Sequence, residues 1–440
     1  MKIPSAILGS LLLAAIANAD SSVREAVQTK VNAEYPSLFE LYKHLHANPE
    51  LSFQEAKTSV RIAEELKRAG YEVTTGIGKF GVVAVMRNGA GPTIMVRSDL
   101  DALPVKEQTG LSYASKVTTK DENGNEVSVM HACGHDVHMT SLVGTGRVLA
   151  HLKSLWQGTL VLIGQPAEER EGGARAMLKD GLFTRFPKPD FCLALHDKSD
   201  LPAGTVGYVP GPAFANVDSV DITVRGVGGH GAWPHRTKDP IVLASQIILA
   251  LQTIVSRETD PEQPAVVTVG SIHGGTKHNI ISDEVKLQLT VRSYTDEIRK
   301  QTLGAIRRIA RGQAIAAGMP EDQMPEVKVR DEFTPVLFNP PQLTERLATV
   351  FKAWFGEAQV HQVKSVMGGE DFSEYGRTAE KIPICLFWVG GVKREICEEA
   401  QRTGKPLPSL HSPFWAPDPE PTITTGITAM TAAVLDLMKK

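Results

Sequence analysis

Between His131 and His138 the chain packs three imidazoles, a thiol and a carboxylate into eight residues: His131, Cys133, His135, Asp136 and His138. Side chains of these types bind borderline transition metals once they are deprotonated. His131, Cys133 and His135 alternate, so an extended backbone would present them on one side. From Asp136 onward Met139, Leu142, Val143 and Leu149 recur at a spacing that predicts a helix. The cluster therefore sits where a loop enters a helix, at the positive end of the helix dipole, which stabilises a thiolate or carboxylate. A Cys-x-His pair alone also fits a buried cysteine beside solvated histidines. What the rest of the chain brings to the cluster decides between the two.

Other residues of the same chemistry fall where strands are predicted to end. The run 93–97 reads as a strand that stops in a segment carrying Asp99 and Asp101. The run 159–164 leads into Glu168 and Glu169, and the run from Asp190 to Leu195 ends at His196. Further strands are predicted at 81–85 and 383–389, and an amphipathic helix at 58–70. Residues 23–48 read as one or two helices interrupted at Pro36. Near-continuous apolar strands alternating with helices indicate a largely parallel α/β sheet covered on both faces. Ligands bind such sheets at the carboxyl edge. Three acid- or histidine-bearing strand ends, together with the Cys/His cluster, point to a metal site.

From Val217 the pattern changes to alternating strands. Strands over 219–225, 266–272, 286–292 and 326–330, with helices over 241–255 and 297–317, follow the split βαβ order of ferredoxin-like domains. Residues 213–330 are therefore read as a separate small domain inserted into the first. The chain returns to the α/β domain with a helix at 343–355, and a proline-rich loop, 406–421, carries His411. No internal repeat or low-complexity segment stands out.

Composition excludes several classes. A net charge of −3 over 440 residues gives no electrostatic basis for binding nucleic acid or a membrane surface. Residues 1–19 carry Lys2, an apolar stretch through Ile16 and an Ala17-Asn18-Ala19 end, the parts of a secretory signal peptide. No later segment has an uninterrupted apolar run of spanning length. The expected location is outside the cytoplasm, periplasmic or secreted, with no membrane association after cleavage. Four cysteines, Cys133, Cys192, Cys385 and Cys397, are too few for a disulfide framework. A pair between Cys385 and Cys397 stays open at this point.

The motifs together resemble the M20 metallopeptidase family, in particular its amidohydrolase branch of N-acyl-amino-acid, hippurate and auxin-conjugate hydrolases. They are RSDLDALP (97–104), MHACGHDVHM (130–139), QPAEE (165–169), GGHGAWPH (228–235), HNIISD (278–283), GGEDF (368–372) and HSPF (411–414). They cover nearly the whole chain after residue 19, in order. The resemblance implies a two-domain α/β fold: a mostly parallel-sheet catalytic domain of the phosphorylase/hydrolase-like kind, 20–212 and 331–440, with an inserted ferredoxin-like α+β lid that also serves dimerisation. It implies two divalent metal ions, zinc or manganese, with cobalt and nickel also compatible, held by Cys133, His135, Glu169, His196 and His411. Glu168 corresponds to the general base and Asp101 to a carboxylate that orients a ligand. His235, Asn279 and Arg292 correspond to substrate contacts in the lid. Residue chemistry alone leaves open which of Glu168 and Glu169 is base and which is ligand. The sequence departs from the family pattern at Ser282, where proline is usual, at Leu410, and in a long 391–408 loop.

The implied activity is metal-dependent hydrolysis of the amide of an N-acyl or aryl-acyl amino acid or related conjugate, by metal-activated water with a glutamate base. A dipeptidase or carboxypeptidase would use the same residues. An inactive exported metal- or peptide-binding protein is disfavoured by the complete ligand and base set. A redox protein using Cys133 is disfavoured by the lack of a Cys-x-x-Cys pair. The implied partners are the small amide or peptide substrate and copies of the same chain.

Overall fold

A computed structural model describes residues 5–439, with side chains from Ser21 onward. The expected leader, 1–19, lies outside the described residues except for its backbone from Ser5. The chain divides into two compact units: Met1–Gly211 with Phe338–Lys364 and Glu374–Lys440, and Pro212–Leu337 with Ser365–Ser373.

The first unit opens with α1 (Ser5–Ala47), which contains Pro36 without breaking there. Proline removes one amide donor, but buried Val27, Val31, Leu38, Leu41 and Leu45 hold the helix to the core on both sides of it. Next come α2 (Ala56–Arg68), β1 (Glu72–Ile77), β2 (Gly81–Asn88), β3 (Thr93–Asp99), α3 (His135–His151), β4 (Gly158–Gln165), β5 (Phe191–Pro202) and β6 (Val206–Tyr208). The second unit supplies β7 (Asn216–Arg225), α4 (Pro240–Thr253), β8 (Ala265–Gly274), β9 (Glu284–Ser293), α5 (Asp296–Ala316) and β10 (Glu326–Val329). The chain then returns to the first with α6 (Pro341–Phe355), β11 (Val360–Gln362), β12 (Ile384–Val392), α7 (Arg394–Thr403) and α8 (Pro419–Leu437).

The first unit is built on an eight-stranded sheet in the order β1-β2-β4-β3-β5-β12-β6-β11. Its centre, β4 through β12, is parallel. Each strand of that centre has an apolar, buried run, and their side chains share one core with α1, α3, α6 and α8. That burial aligns the carboxyl ends of β3 and β4, and thus the segments that follow them. In the second unit the order β8-β9-β7-β10 is antiparallel throughout. With α4 and α5 on it, this is the ferredoxin-like arrangement, closed over Ile222, Ile247, Leu287, Val291 and Ile306. The helical stretch Pro240–Glu258 is long and apolar enough to cross a membrane. Ser245, Gln246 and Gln252 interrupt its apolar run, and Leu243, Ile247 and Leu251 face the unit's own core.

Two further expectations are corrected. The stretch 391–408 is not a loop: it contains α7, whose Cys397 packs with Val392, Trp415, Leu407 and Leu410. All four cysteines are free and buried. Cys385 lies on β12 against the Thr344 hydroxyl rather than bonded to Cys397.

Candidate metal centre

The backbone brings the candidate ligands of the first unit to one place. β3 ends at Asp99 and β4 at Gln165, so Asp101 and the Glu168–Glu169 pair lie on the segments just beyond. His196 departs from the expected pattern: it lies within β5, not past its end. The strand continues to Pro202 because its pairing with β12 extends beyond Leu195, with Trp388 opposite His196. α3 starts at His135, and Gly134 before it takes a left-handed φ of 75°. A Cβ there would lie 2.5 Å from the Asp197 carboxylate, so only glycine lets the turn between Cys133 and His135 close on β5. His411, itself at a φ of 67°, is tethered by donating its backbone amide to the Ala132 carbonyl at 2.8 Å.

The side chains then converge. Cys133 Sγ is 3.6 Å from His196 Nε2. His135 Nε2 lies 3.9 Å from both Glu168 Oε2 and Glu169 Oε1, and His411 Nε2 is 3.6 Å from the same Glu169 oxygen. Cys133, His135 and His196 form one group whose donor atoms all fall within 4.8 Å of one another; Cys133, Glu169 and His411 form a second. His135 Nε2 and Glu169 Oε1 are buried with no hydrogen-bond partner, which is costly unless something else satisfies them. His411 is the exception to burial, its side chain being 54% exposed.

Neighbouring groups aim the donors. The Nδ1 of His135 donates to the Asp101 carbonyl at 2.8 Å, and that of His196 to the Asp197 carbonyl at 2.7 Å. In each neutral ring this leaves the Nε2 lone pair facing the cluster. Asp101 accepts the backbone amides of Glu168 and Glu169 at 3.1 and 3.0 Å and the Ser52 hydroxyl at 2.6 Å. His138 also comes within 4.8 Å of His135 with Asp99 and of His196 with Asp197, but its two ring nitrogens face carboxylates, Asp99 Oδ1 at 2.8 Å and Asp197 Oδ1 at 3.1 Å. His131 is buried with neither ring nitrogen partnered.

The electrostatics are those of a site short of positive charge. Burial, and then the Glu169 and Glu168 carboxylates, push the Cys133 thiol well above its ordinary range. Burial raises the Glu169 carboxyl to about 7, against the pull of His135. Although burial disfavours a charged ring, Asp99 and Asp101 hold His135 well above the usual histidine range. Burial, with His135 and His196, lowers His411. A divalent cation among these donors would favour thiolate, carboxylate and neutral imidazole together. The donor set and the unpartnered buried atoms fit such an ion.

Residues 95–403 match the profile of Peptidase family M20/M25/M40. The chain belongs to this family. It is 40% identical to the hippurate hydrolase of Campylobacter jejuni over 76% of this chain and 84% of that one. With thermostable carboxypeptidase 2 of Saccharolobus solfataricus it shares 37% identity over 80% of this chain and 85% of that one. The solved structure of a Bacillus subtilis protein named as a dinuclear metal binding peptidase from the M20 family superposes with a TM-score of 0.75. That match is 31% identical and covers 92% of this chain and 99% of the other.

The other three predicted residues of this M20 chain belong to the second unit. His235 is exposed in a short turn, Pro234–Arg236, and Asn279 is exposed beside the strand pair Gly229–His230 and Ile280–Ile281. The Asn279 carbonyl accepts the Gly231 amide at 2.9 Å. Arg292, half-buried on β9, donates through Nη1 to the Met367 carbonyl at 2.7 Å. Met367 belongs to Ser365–Ser373, a segment that sequence reading left outside the inserted domain.

Sequence reading also missed much of the support. Asp99, fully buried, pairs with Arg97 at 2.8 Å, and Arg97 donates to Gln165. Near the start of the chain, His46 is buried between Asp136 at 2.6 Å and Glu107 at 3.0 Å. Glu55 accepts the Ala167 amide beside the acidic pair. The available signal was the run of polar residues, His46, Glu50, Ser52 and Glu55, in a stretch that ends one helix and starts another.

Proposed function

We propose that this chain is a metal-dependent amidohydrolase that cleaves the amide bond of N-acyl amino acids, releasing the amino acid and a carboxylic acid. The observation that carries the reading is the pair of donor groups sharing Cys133, one with His135 and His196 and one with Glu169 and His411. Together these residues would hold two divalent ions, in keeping with the dinuclear relative. Bound there, such ions supply Lewis acidity that polarises the amide carbonyl and lowers the pKa of water near neutral pH.

The chain's own residues supply the proton chemistry. Glu168, 7% exposed at the turn after β4, is the carboxylate beside the donors that is left over when Glu169 serves as ligand. It takes the proton of the attacking water and returns it to the leaving nitrogen. Asp101 keeps it in position through its amide. His235 and Asn279 offer donors to a tetrahedral oxyanion, and Arg292 a fork for the substrate carboxylate.

The named activity of the hippurate hydrolase relative, which shares 40% identity, supports an N-acyl amino acid substrate, and the carboxypeptidase relative keeps peptides as a second reading. We further propose zinc or manganese as the native ions, export directed by residues 1–19, and pairing of two copies through the second unit. The pairing is supported by exposed Ile241, Val242 and Leu249 on α4 and by β8, a sheet-edge strand of the kind proteins cover. The decisive experiment removes metal with a chelator and restores it ion by ion while assaying N-acyl amino acids and dipeptides. Full hydrolysis by the chelated protein would sink the metal reading. Turnover of dipeptides but not of N-acyl amino acids would favour the peptidase.

A further inference from the structure

The turn carrying Glu168 and Glu169 is held in an unfavourable backbone state. Ala167, just before the pair, has a φ of 52°, a left-handed conformation that non-glycine residues rarely adopt. Three further non-glycine residues near it do the same: Phe53 at 59°, Lys79 at 89° and Glu171 at 53°. Positive-φ residues outside glycine persist only where surrounding contacts over-determine them, and they concentrate at functional sites.

The contacts converge on one side chain. Glu55 is fully buried. Its Oε1 accepts the backbone amides of both Phe53 and Ala167, each at 2.8 Å. Two of the left-handed residues are thus fastened to a single oxygen. On the other side of Ala167, its carbonyl accepts the amides of Gly172 and Gly173 at 3.3 and 3.2 Å. Gly173 approaches so closely that a Cβ there would sit 1.5 Å from the Pro166 carbonyl oxygen. Lys79 Nζ closes the group by donating to the Phe53 carbonyl at 2.7 Å.

We propose that Glu55 is, beside Asp101, a second positioning residue for Glu168 and Glu169: by accepting the Ala167 amide it keeps the turn left-handed, which sends both carboxylates toward Cys133 and His135. The claim rests on the reading of Glu168 as base and Glu169 as ligand. Without this acceptor Ala167 relaxes to a negative φ and the two side chains after it change direction. Glu55 touches neither substrate nor metal, so its effect passes through the turn. Since one neutral oxygen suffices as acceptor, an amide in place of the carboxyl preserves the function.

The test uses the full chain with Glu55→Ala, Glu55→Gln and the double variant Glu55→Ala/Ala167→Gly. Glu55→Ala is expected to lower kcat on an N-acyl amino acid at least 50-fold with KM within threefold, and to weaken zinc affinity of the apo-protein at least tenfold by titration calorimetry. Glu55→Gln should stay within fivefold of wild type on both. The glycine of the double variant, which adopts positive φ freely, should recover at least fivefold of the lost kcat and zinc affinity. The proposal is overturned if Glu55→Ala is within threefold of wild type, if Glu55→Gln is as impaired as Glu55→Ala, or if the glycine recovers nothing. Should Glu55→Ala not fold, Glu55→Gln decides alone: near-wild-type values support the proposal and a large loss overturns it. If the wild-type protein hydrolyses no N-acyl amino acid, the substrate reading has failed. Zinc affinity across the three variants then still tests the role of Glu55.

Discussion

In the first unit Cys133, His135 and His196 are buried, and both imidazoles are fixed by bonds to backbone carbonyls. In the second unit His235 and Asn279 are exposed on turns, and Arg292 is half-buried on a strand. Apart from His411, whose side chain is 54% exposed, the predicted residues of the first unit are therefore more buried than those of the second. A buried donor aimed by a neighbour is set before any ligand arrives, so its electrostatic effect is large and its loss is costly. An exposed side chain contributes little to the fold and is free to be chosen for what it contacts. Substitutions in the first unit should accordingly change chemistry, metal affinity and stability, and those in the second should change substrate kinetics alone.

The largest effect should come from Glu168→Gln, which keeps shape and removes the proton acceptor. We expect kcat to fall by about 10²–10⁴-fold, the range for a lost general base, with metal content by elemental analysis unchanged. A variant that kept both metal and full turnover would move the base elsewhere, Glu169 being the first alternative.

Next is His46→Ala, which tests whether the buried network matters beyond the donors themselves. It leaves the Asp136 and Glu107 carboxylates buried without their cation, a change that costs about 3–5 kcal/mol in such settings. Burial opposes the charge on His46, but the hydrogen bonds it donates to Asp136 and Glu107 hold the ring up to about 10. Its folded value is thus above its ordinary 6.5. The stabilisation is complete below about pH 6.5 and is lost as the pH rises through about 10. Denaturant melts at pH 6 and pH 10 should show wild type losing more stability than His46→Ala between them. Parallel curves would remove the charged triad from the account.

Much of this architecture was legible in the residues and some was not, for physical reasons. The parallel strands could be read because the stretches 94–96 of β3, 160–163 of β4 and 192–195 of β5 are buried on both faces and apolar without interruption. The ferredoxin-like order could be read because β7, β8 and β9 alternate. The ligand residues could be proposed because thiol, imidazole and carboxylate at strand ends have few other uses. Hidden were the residues that hold those ligands. Glu55 and His46 are distant in sequence from what they position, and a buried glutamate is written in the chain like an exposed one. β5 reads as ending near His196 because Asp197, Lys198 and Asp200 are polar, whereas pairing with β12 continues to Pro202. Pro36 reads as a break because a missing amide is visible in a sequence and the core that compensates for it is not.

A smaller effect belongs to Asp101→Asn. Both carboxylate oxygens of Asp101 accept backbone amides, so an asparagine NH₂ must face one N–H donor. The Glu168–Glu169 turn should shift, and metal affinity should fall by about 10–100-fold, as for other residues that orient ligands. The same measurement on Asn279→Ala should show no change in metal affinity; a comparable loss there would erase the contrast between the units.

Smaller still is Arg292→Lys. The ammonium keeps the charge and loses the fork that grips a carboxylate through two parallel bonds. KM for an N-acyl amino acid should rise about tenfold, the equivalent of one charge-assisted hydrogen bond, with kcat and metal content little changed. The Met367 carbonyl already occupies one donor of Arg292 at 2.7 Å. A drop in unfolding temperature with unchanged KM would assign the guanidinium to that internal bond rather than to the substrate.

For stability the least change is expected from His235→Ala. His235 is exposed in the turn Pro234–Arg236, where Pro234 and the bond from the Thr237 amide to the Pro234 carbonyl define the backbone without help from the imidazole. Exposed substitutions away from caps and networks usually stay within about 0.5 kcal/mol, so the denaturant midpoint should be that of wild type. Activity should nonetheless fall, and through kcat, if the ring donates to the oxyanion, because that charge exists only in the transition state. The comparison residue is His138, equally an imidazole but buried between Asp99 and Asp197. His138→Ala should lower the midpoint sharply, since it takes one partner from each of two buried carboxylates. If His235→Ala destabilised the protein as His138→Ala does, burial would not be what separates the two units. If it left kcat untouched, the second unit's histidine would have no part in the reaction.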